Sequence, residues 1–297
     1  MREKGRCAAP HRISLAFVLG TALVSLVALV ALVPYAQDPP PSVEIVQDIP
    51  YFEGPGANPQ RNALDVYRLQ NAQNAPVLVF VHGGGWTSGD KALYGYLGRA
   101  FAQQGYVTVI PNYRLSPAVQ HPAHVQDVAR ALRWVYNRIA AYGGDPEQIV
   151  LMGHSAGGHL VSLVALDDRY LWEQGLTPEV LSGVIPISGV YDLTAVPGFA
   201  EVFGNDPERR RDASPLTHAQ EGDPPPFPFL ILYARHDIPT LDRQAQAFYG
   251  ALTARGADAE LFEIPDRDHR TIVTSLGQSG DRTTQLVLEF LQEQVGP

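Results

Sequence analysis

The chain has one cysteine in 297 residues, Cys7. It precedes the long apolar run near the N-terminus, so the rest of the chain can form no disulfide and offers no thiol nucleophile, and no cysteine follows that run for lipid attachment. Positive charge is scarce too: beyond residue 37 there are 18 basic residues against 30 acidic ones, a net charge of −12. A body of that sign repels phosphate backbones and anionic headgroups, which argues against nucleic acid as a partner. Internal repeats and low-complexity tracts are missing as well. What is present is 45% apolar and 18% charged, enough to build a core without the composition of disorder, and the length suits one domain of about 250 residues.

The first residues stand apart. Arg2, Lys4, Arg6 and Arg12 make residues 1–12 a basic region expected on the cytoplasmic side, and residues 13–33 are an uncharged, mostly apolar run of 21, closed by Pro34. Cleaved signals usually have apolar regions of about 7–15 residues, whereas about 20 can span a bilayer. With Pro34 also spoiling the best cleavage pattern, residues 13–33 read as a membrane signal anchor ahead of a cleaved signal peptide. Either places the body outside the cytoplasm, anchored or secreted into periplasm or medium. Residues 34–42, with DPPPS, read as a stiff spacer before a domain over 43–297.

That domain alternates strand and helix patterns. VEIVQDIPYF (43–52) and ALDVYRL (63–69) suggest an antiparallel pair. Apolar runs at 76–82, 106–113, 148–154, 183–188, 228–234 and 259–265 suggest buried parallel strands. Helices are expected at 91–104, 121–142, 156–167, 239–255 and 280–294, with Arg130, Arg133 and Arg138 on a solvated face of the second. The fold expected is α/β: a mostly parallel eight-stranded sheet with helices on both faces. Residues 190–227, rich in proline and weak in periodicity, form an excursion after the sixth strand, where such folds build pockets. Tyr191, Phe199, Phe203 and Leu216 all stay open as pocket residues there.

Two glycine-rich motifs sit at strand ends. In GHSAGG (153–158), a strand pattern gives way to a helix pattern at Ser155. A serine on so tight a turn needs small residues two positions either side, which Gly153 and Gly157 supply, and the turn aims the Ala156 N–H at an incoming carbonyl oxygen. HGGGW (82–86) follows the first buried strand, and the N–H groups of Gly84 and Gly85 can join Ala156 in an oxyanion hole. A phosphate loop is the competing reading, but the lysine and Ser/Thr of a P-loop are missing.

A serine nucleophile needs a base, and the base needs an orienting acid. Asp237 directly follows PFLILYARH, and His269 follows AELFEIPDRD; both stand in the chain order Ser, Asp, His that such a sheet requires. Other candidates fit less well. His236 would leave the same strand end as the acid, His159 lies one turn inside the serine's helix as a packing or hydrogen-bonding residue, and His154 is expected to point off the reactive side. Asp242 lies inside a helix, and Asp266 and Asp268 crowd the histidine loop. A metal site from His236, Asp237, Asp268 and His269 is conceivable but would leave the serine motif without a purpose. The reading therefore calls for no metal and no cofactor.

HGGGW, NYRLSP, GHSAGGHL, HDIPTLDRQAQAF and DHRTIV together resemble the α/β-hydrolase superfamily. The closest likeness is to its esterase/lipase group, with hormone-sensitive-lipase-like carboxylesterases, feruloyl and acetylxylan esterases and kynurenine formamidases; it covers roughly residues 43–295. The resemblance implies an α/β-hydrolase fold, with Ser155 as nucleophile, Asp237 as acid, His269 as base and Gly84, Gly85 and Ala156 as oxyanion hole. It implies a carboxylesterase acting on small-molecule esters, short-chain or small aromatic. Hydrolysis of N-formyl aromatic amides and an inactive binding module are the alternatives. The body begins with strands rather than the helical cap of hormone-sensitive-lipase-like enzymes, so a more open pocket is expected.

Overall fold

The structure, a computed structural model, describes residues 42–296. The N-terminal readings, the basic region, the apolar run and all of the spacer but Ser42, lie outside the described residues. Among the described residues no helix is long and apolar enough to cross a membrane.

The described residues form one eight-stranded sheet in the order β1-β2-β4-β3-β5-β6-β7-β8. β1 (Val43–Pro50) and β2 (Ala63–Leu69) pair antiparallel, and β2 also runs antiparallel to β4 (Val107–Pro111). From β4 onward every pairing is parallel, through β3 (Ala75–Val81), β5 (Gly144–His154), β6 (Leu181–Ile187), β7 (Phe229–His236) and β8 (Ala259–Asp268). Side chains alternate across each strand. On β3, Val77, Val79 and Val81 therefore enter one apolar layer while Leu78 and Phe80 enter the other. Helices α2 (Ala123–Arg138), α3 (Ala156–Leu166) and α4 (Leu241–Ala254) cover the first layer. Helices α1 (Gly95–Gln103) and α5 (Arg282–Gln294) cover the second, burying Leu97, Phe101, Val287 and Leu291.

The expected elements are all present, with differences of extent and detail; β5 begins at Gly144 rather than near residue 148. β8 runs to Asp268 rather than ending near residue 265, because its tip continues to pair with β7, His236 against Asp268 across a bulge. The excursion contains three short helices, Ala200–Phe203, Pro207–Asp212 and Pro215–Glu221, two of them with proline in the first turn. Segments of one or two turns are too short to show a 3.6-residue repeat. Arg130 is not simply solvated: it pairs with the fully buried Asp127 at 2.7 Å and lies over the Phe52 ring at 4.4 Å.

Candidate active site

Parallel pairing brings the C-terminal ends of β3, β5, β6, β7 and β8 to one edge, and successive ends deliver His82–Gly85, Ser155, Ser188, Asp237 and His269. Crevices outside these ends are where open α/β sheets bind ligands.

Ser155 stands between β5 and α3 with φ 57° and ψ −119°, a positive φ that a side chain adopts only when its surroundings hold it there. The glycines around it permit the turn. A Cβ on Gly157 would lie 2.1 Å from the Val81 carbonyl oxygen, and one on Gly153 would lie 2.4 Å from that of Gly157. Gly83 has the same role from the other side: a Cβ there would lie 3.0 Å from the Ser155 Cβ.

His269 Nε2 is 2.9 Å from Ser155 Oγ, and His269 Nδ1 is 2.6 Å from Asp237 Oδ1. An ionised carboxylate can only accept, so Nδ1 carries the hydrogen and Nε2 turns its lone pair to the serine hydroxyl. The carboxylate is saturated with donors: Oδ1 also accepts from the Ile238 N–H at 2.8 Å, and Oδ2 accepts from Ser188 Oγ at 2.5 Å and the Ala234 N–H at 3.2 Å. Burial alone would raise the Asp237 pKa. The hydrogen bonds from His269 and Ser188 outweigh it and hold the group below the usual carboxylate range.

The HGGGW loop is held by a hydrogen-bonded scaffold. Arg61 donates to the Tyr113 and Gly89 carbonyls, to Asp90 and to His82 Nε2 at 2.9–3.3 Å. That leaves His82 Nδ1–H to donate to the Gly83 carbonyl at 2.7 Å, while the Tyr113 hydroxyl donates to the His82 carbonyl at 3.0 Å. Burial lowers the His82 pKa to about 4, so the ring stays neutral. Gly84 and Gly85 have φ of 123° and 60°, and their N–H groups, with that of Ala156, enter no loop or turn hydrogen bond among the described residues. All three residues line the cavity that holds Ser155.

That cavity, about 660 Å³, has mostly apolar walls, and among the described residues Arg270 is the one that lines it with a formal charge. Four of its lining residues are exposed apolar side chains: Leu93 at 67%, Ile238 at 49%, Tyr96 at 38% and Phe199 at 36%. Of the excursion residues left open above, only Phe199 lines it. Phe203 packs under Trp86, Tyr191 stacks on Phe248 at 4.3 Å, and Leu216 packs against the core.

The other histidines fall into place. His159 accepts from Trp86 Nε1 at 3.2 Å and donates from Nε2 to the Ala213 carbonyl at 2.8 Å, as a hydrogen-bonding core residue. His236 is exposed. Asp268 accepts from the Arg270 and Thr271 N–H groups and from Thr271 Oγ1, building the turn after His269. With Asp237 committed to His269 and Asp268 to its own turn, the conceivable metal quartet does not assemble; the one acidic and histidine group close enough among the described residues is Asp167, Asp212 and His218, and there Arg169 bridges both carboxylates. The expectation for His154 is corrected. Its ring lies 4.8 Å from that of His269, and its Nε2–H donates to the His269 carbonyl at 2.7 Å. Sequence reasoning also passed over Ser188, Arg61 and Asn112, whose amide donates to Asp90 Oδ2 at 2.9 Å and accepts from the Lys91 N–H at 2.7 Å. Asn112 and Tyr113 belong to the NYRLSP motif, and that was the available signal.

Sheet order, crossovers and the placing of this site at the strand ends make the protein an α/β-hydrolase. The sequence model of the BD-FAE family matches residues 64–252, and the chain belongs to that family. It is 35% identical over 246 residues to Esterase LipQ of Mycobacterium tuberculosis, an alignment that covers 75% of this chain and 56% of the relative. It is 26% identical over 254 residues to a kynurenine formamidase of Salmo salar, covering 82% and 81%. Among solved structures, esterase B of Lactobacillus rhamnosis superposes with a TM-score of 0.71 at 25% identity over 87% of both chains. The chain thus spans a little over half the length of the esterase relatives it matches.

Proposed function

We propose that the protein is a serine carboxylesterase that forms an acyl-enzyme on Ser155. The observation that carries the reading is the hydrogen-bonded series Ser155, His269, Asp237 opening onto an apolar cavity. Its esterase relatives support it. As Ser155 Oγ bonds to the ester carbonyl carbon, His269 Nε2 takes the hydroxyl proton and Asp237 stabilises the imidazolium. The carbonyl π electrons move onto oxygen, which the N–H groups of Gly84, Gly85 and Ala156 hold as an oxyanion. Collapse breaks the C–O bond to the leaving alcohol, which takes the proton from His269. Water then adds by the same route, freeing the carboxylic acid and Ser155. The apolar walls favour an uncharged ester with a short-chain or small aromatic acyl group.

Formamide hydrolysis is the second reading, favoured by the alignment over 81% of a kynurenine formamidase. Against it, a single charged side chain among the described residues, Arg270, lines the cavity, whereas an amino-acid substrate brings both an ammonium and a carboxylate. Turnover of p-nitrophenyl acetate and of N-formylkynurenine separates the two. Ser155→Ala should abolish turnover and fluorophosphonate labelling while leaving the thermal melt intact; full residual activity would mean another nucleophile. Export, with residues 13–33 as anchor or signal, is proposed from the basic flank and the length of the apolar run. Detergent-dependent extraction of the full chain would support the anchor, and a mature N-terminus near Gln37 would support cleavage.

A further inference from the structure

We infer that His154 is a positioning residue that sets the height and orientation of the base His269 over Ser155; this rests on the proposed roles of those two residues. His154 sits one residue before the nucleophile, at the tip of β5, and is 6% exposed. Its Nε2–H donates to the His269 backbone carbonyl at 2.7 Å, bridging two segments 115 positions apart. The bond fixes the tautomer, because a carbonyl oxygen accepts only and Nε2 must carry the hydrogen.

The remaining nitrogen, Nδ1, is buried with no hydrogen-bond partner among the described residues. An unpaired buried lone pair costs stability that an apolar side chain of similar size would not, so packing alone does not account for a histidine here. The other contacts of this residue point the same way. A Cβ on Gly83 would lie 2.9 Å from the His154 carbonyl oxygen and 3.1 Å from its Nδ1, so the oxyanion-hole loop rests directly on His154. Nucleophile turn, oxyanion loop and base loop therefore meet at one side chain. Strand pairing stops at Asp268, so the ladder no longer fixes the chain where His269 leaves it. The bond from His154 supplies a fixed point one residue further on. Burial, with the neighbouring His269, lowers the His154 pKa to about 3, so the ring remains a neutral donor and places no charge against the imidazolium formed during turnover.

The test compares His154→Leu, His154→Gln and His154→Asn on p-nitrophenyl acetate, with thermal melts of each. The glutamine amide nitrogen reaches the place of Nε2, and that of asparagine falls short of it. Shifts of about 1 Å in a reacting group cost on the order of a hundredfold. We expect H154L to lower kcat by roughly ten- to a hundredfold with KM within about twofold, H154Q to recover most of that loss, and H154N to recover little. An H154L variant with wild-type kcat, or a glutamine variant no better than the asparagine one, would overturn the inference. If H154L does not fold, the Gln and Asn pair still decides. Activity surviving in Ser155→Ala would instead remove the reading on which the inference rests.

Discussion

Asp237→Asn tests the electrostatic core of the site. All four partners of the Asp237 carboxylate are donors: the His269 ring and the Ile238 N–H on Oδ1, Ser188 Oγ and the Ala234 N–H on Oδ2. An asparagine offers one accepting oxygen, so its NH₂ must face one of these pairs. If it faces His269, the imidazole must accept at Nδ1 and carries its hydrogen on Nε2, which removes the base. If it faces Ser188, that hydroxyl can turn to accept, but the Ala234 N–H is stranded and the charge opposite the imidazolium is gone. Two unit charges about 4 Å apart interact by about 4 kcal/mol at an effective dielectric constant near 20. The milder orientation thus costs close to three powers of ten in kcat/KM, and the harsher one more. The assay is kcat/KM for p-nitrophenyl acetate beside the same change at Asp242, which lies in the first turn of α4 and should be nearly silent. A loss under tenfold at Asp237, or a greater loss at Asp242, would refute the assignment of the acid.

Gly157→Ala would put a Cβ 2.1 Å from the Val81 carbonyl oxygen, forcing apart the strand that carries the HGGGW loop and the helix that follows Ser155. A stability loss of about 1–3 kcal/mol and a fall in kcat of about a hundredfold are expected, and an unchanged melt with unchanged kcat would contradict the packing argument. Lys91 is 5% exposed, with Nζ 2.6 Å from both Asp48 and the fully buried Asp65. Lys91→Met strands the Asp65 charge and should cost about 3–5 kcal/mol in denaturant unfolding. Among the described residues five histidines are buried with lowered pKa values, about 4 for His82 and His124 and about 3 for His121, His154 and His159, burial being the leading cause in each. Their folded pKa values lie below the unfolded value near 6.5. The unfolded chain therefore binds more protons as pH falls from about 6.5 toward 4, and each histidine removes about 1.4 kcal/mol of stability per pH unit. Thermal melts should show Tm falling steeply over that window; a flat Tm down to pH 4.5 would contradict it.

Much of this molecule is legible in its sequence. Unbroken apolar runs placed the central parallel strands, since burial on both faces of a sheet leaves such a run, and apolar residues at three- and four-residue steps placed the major helices. GHSAGG and HGGGW announced their turns because only glycine tolerates a carbonyl oxygen where Cβ would stand, as at Gly153 and Gly157. Chain order then singled out Asp237 and His269. Contacts between segments far apart in the chain leave no such periodic mark, and the tertiary structure alone decided them. Sheet order put Ser188 at the strand end beside Asp237, the β7–β8 register carried β8 on to Asp268, and Arg61 came under the HGGGW loop from a turn more than twenty residues earlier. The same holds for His154, which the sequence placed beside Ser155 with no hint of its partner. That partner is a backbone carbonyl 115 positions away, brought within reach only because β5 and β8 end at the same edge of one sheet.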